Sequence, residues 1–434
     1  MKRWLRRGAV AVSILLLAVL SWITVALRVE TTASGVPVRW LLPIPPGNGG
    51  AIAIPIFPPN DHRVAIPGFM DGPIVTHDSG GWRARWWCED RVRQLQGNGP
   101  ALSLDCAGEK RSFDLAEATI PSPVQDMPTR VFVLSDLEGD AQFLASSLRE
   151  LGLMDAAGAW SGGAAHVVVL GDSVDRGRDV FGVLWTLRSL QRQAHAAGGA
   201  VHVVIGNHEQ YLLRGIAKSA HPEHRQALER LGGHRAAFAQ GTLIGNWLRA
   251  LPVAVRLGDT AFVHGGLSAE AASALATPEA ANATMQRYWR DLATLPQVTR
   301  EPALDAVLGA SGLTQFRGLL GDAPEGTAPM SESEVDRALS AWKSRRMVVA
   351  HTVVAEVHAV HGGRIWAVDL AEPELPQAVL AFIDGKPDVV RLRARRSANN
   401  AGHRVVPASE IDQAGLLGGT FREARRAAAT PMPY

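Results

Sequence analysis

The stretch His166-Val167-Val168-Val169-Leu170-Gly171-Asp172-Ser173-Val174-Asp175-Arg176-Gly177 decides the fold. Its first half is an unbroken apolar run rich in valine, the pattern of a strand buried on both faces of a parallel sheet. Its second half turns polar at once and sets two carboxylates and an arginine where the run stops. As a plain turn it would leave two carboxylates idle at a buried edge, where charge is costly unless paired.

The same pattern recurs along the chain. Val131–Leu134, Val201–Ile205, Ala261–Val263, Met347–Ala350 and Ile365–Val368 also read as buried strands. Six polar clusters follow apolar runs: Asp136-Leu137-Glu138, Gly171–Gly177, Gly206-Asn207-His208-Glu209, His264-Gly265-Gly266, Phe316-Arg317-Gly318 and His351-Thr352. Helical stretches intervene. Asp140 can cap a helix carrying Phe143, Leu144, Leu148 and Leu151, and Val180 to His195 forms another. Gln210 to Leu251 is also helical in pattern; its His221, His224 and His234 read as solvated. Alternating strand and helix predicts a layered α/β domain, with ligands beyond the carboxyl ends of the strands.

The whole chain sets the bounds. At 434 residues, 47% apolar and 20% charged, it can bury a large core. Lys and Arg total 44 against 42 Asp and Glu, a net charge of +2. No basic stripe with interleaved aromatics runs through the core region, so nucleic acid is not the expected partner.

Lys2, Arg3, Arg6 and Arg7 precede an uncharged run from Gly8 to Leu27, closed by Arg28. As a helix that run spans roughly 30 Å, enough to cross a bilayer. Cations before it favour export of the chain beyond Arg28. The expectation is a single-pass anchor in a bacterial inner membrane through residues 8–27, with the catalytic domain in the periplasm. A cleaved signal peptide, leaving a secreted periplasmic protein, is the rival reading. An oxidising compartment would let Cys88 and Cys106 pair, closing a loop worth about 3 kcal/mol; two unpaired buried thiols are the alternative.

The expected organisation is a signal-anchor at 1–28, a Pro/Gly-rich extended linker at 29–71, a small β-rich region at 72–125 with a turn at Asn98-Gly99, a catalytic domain at 126–392, and a basic irregular tail at 393–434. The tail reads as solvated, with an interaction arm as the sharper option.

The clusters suit one chemistry. Two divalent metals about 3.5–4 Å apart can share a carboxylate and make a nucleophile from water near neutral pH. Asp172 is the bridging candidate; Asp136 and Glu138 would complete one metal's shell, and Asn207, His264 and His351 the other's. This mixed oxygen and nitrogen set suits Mn, Fe or Zn. Arg176 and Arg317 offer forked donors for a phosphoryl group. His208 would protonate the leaving oxygen, with Asp175 orienting it. Taken singly the clusters are weaker: Asp136-Leu137-Glu138 could be only a helix N-cap region, and Arg317 a surface arginine.

Together the clusters resemble those of the calcineurin-like metallophosphoesterases, within them the phosphoprotein phosphatase group, and most of all its Shewanella-like branch. The residues carrying the resemblance are Ser135–Asp140, Gly171–Gly177, Gly206–Glu209, Phe262–Ser268, Val349–Thr352 and Gly363–Asp369. It implies two packed mixed β-sheets flanked by helices, a dinuclear metal centre and phosphomonoester hydrolysis, with the roles above carried onto the same positions. One residue departs. The family's first motif usually reads Asp-x-His, and here Glu138 stands in the histidine's place. A carboxylate there lowers the net charge of a loaded site by about one and favours harder metals such as Mn. The expected activity is hydrolysis of phospho-Ser/Thr or phospho-Tyr proteins. The alternatives are a nucleotide, dinucleoside polyphosphate or small phosphoester hydrolase, and an inactive phosphate-binding homologue.

Overall fold

The computed structural model describes residues 2–44, 50–56, 64–217, 219–291, 301–320, 329–397 and 403–411. They fall into two compact units, one formed by residues up to 68 with 403–411, the other by residues 69–397.

The first unit contains α1 (Lys2–Ala26) and the strands β1 (Arg28–Thr31), β2 (Pro37–Pro43) and β3 (Ala51–Pro55). A late strand, Arg404–Pro407, pairs antiparallel with β1 and completes a four-stranded sheet. Val29, Trp40, Ile56 and Ala408 form its core. This corrects the reading of 29–71 as a linker and of 393–434 as irregular throughout. The proline-rich chain is extended, as expected, but its extended pieces pair with one another.

Among the described residues no helix is long and apolar enough to cross a membrane. α1 itself is 25 residues long. The expected spanning helix over 8–27 is therefore not found among the described residues.

In the second unit, β4 (Met70–Asp78), β5 (Gly81–Cys88) and β6 (Arg91–Gly97) make one small sheet. β7 (Ala101–Cys106) and β8 (Glu109–Asp114) make another. Asn98-Gly99 therefore joins two sheets instead of turning a hairpin, because β6 pairs with β5 and β7 with β8. Cys88 and Cys106 form a disulfide between the ends of β5 and β7.

Two larger mixed sheets follow, and β9 (Val124–Gln125) lies at the edge of one. The first contains β10 (Arg130–Leu134), β11 (His166–Leu170) and β12 (Ala200–Val204), in parallel. The second contains β13 (Ala254–Leu257), β14 (Thr260–Val263), β15 (Arg346–Val349), β16 (His358–Val360) and β17 (Ile365–Ala367). β18 (Ala378–Ile383) and β19 (Lys386–Arg391) return to the first sheet, β18 antiparallel to β10. Val131, Val168 and Leu170 from one sheet share a core with Val255, Phe262 and Val348 from the other. Phe262 meets Phe382 edge-on across it, with ring centroids 6.1 Å apart. This is the two-sheet sandwich that the family resemblance implied.

The helices α2 (Ala141–Glu150), α3 (Val180–Ala196), α4 (Asn207–Leu213) and α5 (Pro222–Arg230) include both helices expected from the cap pattern. Asp140 caps α2 by accepting from the Phe143 N–H at 2.9 Å. His224 and His234, expected to be solvated, are buried. His224 Nδ1 lies 2.6 Å from the Asp71 carboxylate, and the His234 ring packs against Phe238. A nearby acid and an aromatic neighbour take the place of water.

Because the disulfide ties two sheets that share no strand pairing, Cys106→Ser should lower stability by about 3 kcal/mol. Denaturant melts of the wild type and variant read this directly. An unchanged midpoint would show that packing alone holds the region.

Candidate metal centre

Five strands deliver side chains to one place. β10 leads to Asp136, β11 to Asp172, β12 to Asn207, β14 to His264 and β15 to His351. The chain turns sharply after each stem. Asp136, Glu138, Asp172, Asp175, Arg176 and His351 all adopt left-handed backbone, with φ of 46°, 50°, 49°, 68°, 50° and 66°. Each costs on the order of 1–3 kcal/mol for a non-glycine residue and persists only where surroundings over-determine it. Two glycines permit the crowding. A Cβ on Gly206 would come within 2.2 Å of Asp172 Oδ1, and one on Gly171 within 2.6 Å of His264 Nδ1.

Asp172, His264 and His351 are buried, with ligand-capable atoms within 4.8 Å of one another. His264 Nδ1 donates to the Leu170 carbonyl at 2.8 Å, which aims Nε2 into the cluster. There Nε2 lies 3.0 Å from Asn207 Oδ1 and 3.2 Å from Asp172 Oδ2. Burial opposes charge on this ring, but the Asp172 carboxylate outweighs it and pushes the pKa up to about 10. Burial, then the His264 charge, drives His351 down to about 2. Burial, then Asp369, holds Asp136 well above the ordinary carboxylate value.

Asp136 Oδ2 and His351 Nε2 are buried without a hydrogen-bond partner. Two unpartnered acceptor-capable atoms beside a crowd of carboxylates fit a divalent cation.

The remaining predicted residues gather around this core. His208 Nδ1 is 2.9 Å from Asp175 Oδ2, and its Nε2 is 3.8 Å from Asp172 Oδ2. Burial lowers the His208 pKa, but Asp172 and Asp175 together raise it above the ordinary value. Arg176 Nη1 pairs with Glu138 Oε1. Burial pushes the Glu138 carboxyl up to about 7, against the pull of Arg176 and Arg396. Arg317 lies in a loop after a helix, Pro302–Leu308, and not at a strand end as its apolar neighbours suggested. Its Nη1 donates to the His351 carbonyl at 2.7 Å and to Thr352 Oγ1 at 3.3 Å, so the fork is partly spent on fixing the His351 turn.

Two residues had no role in the sequence reading. Glu209 accepts from the backbone N–H groups of Asp172 at 3.0 Å, Ser173 at 2.6 Å and Gly206 at 2.8 Å, locking two site loops together. It lies inside a cluster singled out above, so its signal was present. Asp369 follows β17, is buried, and accepts from the Ala371 N–H at 2.9 Å. Its place after a sixth buried strand, at the close of the Gly363–Asp369 stretch, was its signal.

Residues 129–322 match the family model for calcineurin-like phosphoesterases. Shewanella-like protein phosphatase 2 of Arabidopsis thaliana is 28% identical over 188 residues, 33% of this chain and 48% of that protein. Shewanella-like protein phosphatase 1 of Plasmodium berghei is 27% identical, over 32% of this chain and 39% of that one. The chain thus spans less than half the length of either relative. The crystal structure of a cold-active protein-tyrosine phosphatase from a psychrophilic Shewanella superposes with a TM-score of 0.66 at 26% identity, covering 74% of this chain and 99% of that one. Sheet order, strand-end side chains and these likenesses agree: the chain carries a calcineurin-like metallophosphoesterase domain and has the Shewanella-like phosphatases among its relatives.

Proposed function

We propose that this protein is a metal-dependent phosphatase acting on phosphorylated serine, threonine or tyrosine side chains of proteins. The observation that carries the proposal is the convergence of Asp172, His264 and His351 within 4.8 Å, with the His208–Asp175 pair beside them. The protein substrate class follows the similarity to a Shewanella-like protein phosphatase and to a protein-tyrosine phosphatase.

Asp172 would bridge two metals, with Asp136 and Glu138 holding one and Asn207, His264 and His351 the other; manganese suits the added carboxylate. When bound, the metals supply positive charge for the phosphoryl oxygens and acidify water. The chain's own groups do the rest. Arg176 grips phosphoryl oxygens with a fixed charge, and Arg317 adds charge from beside the His351 turn. Asp175 accepts from His208 Nδ1–H, which turns Nε2–H toward the departing oxygen. His208 then gives that proton to the alkoxide. Burial of the cluster strengthens each of these electrostatic interactions.

For location, we infer an envelope protein held to the inner membrane by α1 with the catalytic unit in the periplasm. In support, Val10, Ile14, Leu15, Leu17 and Val25 of α1 are each more than half exposed, and the Cys88–Cys106 disulfide suits an oxidising compartment. Membrane fractions washed at alkaline pH should retain the full chain and release it once residues 1–28 are removed. Full-chain release by the wash would argue against anchoring.

His208→Asn should lower kcat on phosphopeptides about 10²–10⁴-fold while leaving bound metal unchanged. The same assay should run on nucleotides and aryl phosphates in parallel. Wild-type turnover higher on nucleotides than on phosphopeptides would overturn the substrate class, and an unaffected variant would overturn the role of His208.

A further inference from the structure

The segment after β19 was expected to hang in solvent. Instead it runs along the first site loop and the adjoining helix. The backbone N–H of Arg393 meets both Glu150 carboxylate oxygens at 2.9 Å, and that of Ala394 meets one at 3.1 Å. The Ser397 N–H donates to Asp140 Oδ2 at 2.7 Å, while Asp140 Oδ1 caps α2. Between these ties Arg396 reaches inward. Its Nη1 donates to the Asp136 carbonyl at 2.6 Å and its Nη2 to the Ser135 carbonyl at 3.3 Å. Nε donates to Gln377 Oε1 at 3.0 Å, and the guanidinium lies 4.4 Å from the Phe143 ring centroid.

Every polar edge of that guanidinium is thus directed. Two of its donors hold the carbonyls on either side of the left-handed Asp136 backbone. A ring beneath and an amide behind fix the plane, and a planar fork holds two carbonyls as a flexible ammonium cannot. The positive charge also sits beside Asp136, Glu138 and Asp369. Glu138 is buried two residues from Asp136, so this turn carries two acidic side chains close together.

We propose that residues 392–397 form a strap and that Arg396 is a positioning residue for the metal held by Asp136 and Glu138. The strap fixes the strained turn that presents these two carboxylates and sets a guanidinium charge beside them. It leaves the Asp172–His264–His351 side untouched. This inference rests on the dinuclear reading above.

The test is manganese titration by calorimetry on the full chain, paired with electron paramagnetic resonance of the loaded protein. Arg396→Ala should weaken one of two ions about 10–100-fold, as outer-shell losses do, and erase the spin coupling between them while the other ion binds as before. Arg396→Lys should recover part of the loss, and the exposed Arg395→Ala none of it, because that variant should match the wild type throughout. If Arg396→Ala does not fold, Arg396→Lys carries the test: selective weakening supports the strap and wild-type affinities refute it. Equal weakening of both ions would also refute it, since that is general loosening. Fewer than two ions on the wild type would sink the dinuclear reading and this proposal with it. Two normally bound ions on Arg396→Ala would sink the strap alone.

Discussion

Negative charge buried at the ends of parallel strands is the constraint on which the rest of this structure depends. Asp136, Asp172 and Asp369 are all nearly inaccessible, and Glu138 lies beside them. Like charges so placed cannot all remain ionised without cations among them, because burial and mutual repulsion both oppose it. The chain supplies part of the compensation through Arg176 at Glu138, Arg396 behind Asp136 and the raised pKa of His264. The unpartnered Asp136 Oδ2 and His351 Nε2 mark where more is needed. A dication pair is the simplest group that satisfies carboxylates, an amide oxygen and imidazoles at once.

Holding such a cluster requires rigid stems and tightly determined turns. The sheets provide the stems, with Val168 and Leu170 packed into the shared core just before the chain turns. The turns store strain in six left-handed residues, and each is tied by groups remote in sequence: Glu209 to the Asp172 loop, Arg317 to the His351 turn, Arg396 to the Asp136 turn. Precision in the metal ligands therefore comes from side chains that would never touch a metal. This is the usual division between groups that do chemistry and groups that orient them.

That division also explains what could be read from the sequence. Asp172, Asn207, His264 and His351 were legible because each follows its own buried strand, and a local change from apolar to polar marks the spot. Asp369 obeys the same rule and closes the Gly363–Asp369 stretch, but a single acid after Val368 suggested no role of its own. Arg396 and Glu150 were not legible, because each takes its meaning from a partner far away in sequence, 260 positions for Arg396 with Asp136 and 243 for Glu150 with Arg393. The strands in 29–71 were hidden by proline, which signals extension but says nothing about pairing. Phe316-Arg317 imitates a strand end through two apolar neighbours, yet it belongs to a loop that packs on Gly265. His224 looked polar and therefore exposed; only the buried Asp71, far earlier in the chain, shows why it is not.

The most direct measurement is anomalous scattering from crystals of the manganese-loaded protein. The account predicts two peaks about 3.5–4 Å apart on either side of the Asp172 carboxylate, one nearer Asp136 and the other nearer His264 and His351. A single peak, or none within reach of Asp172, would contradict it.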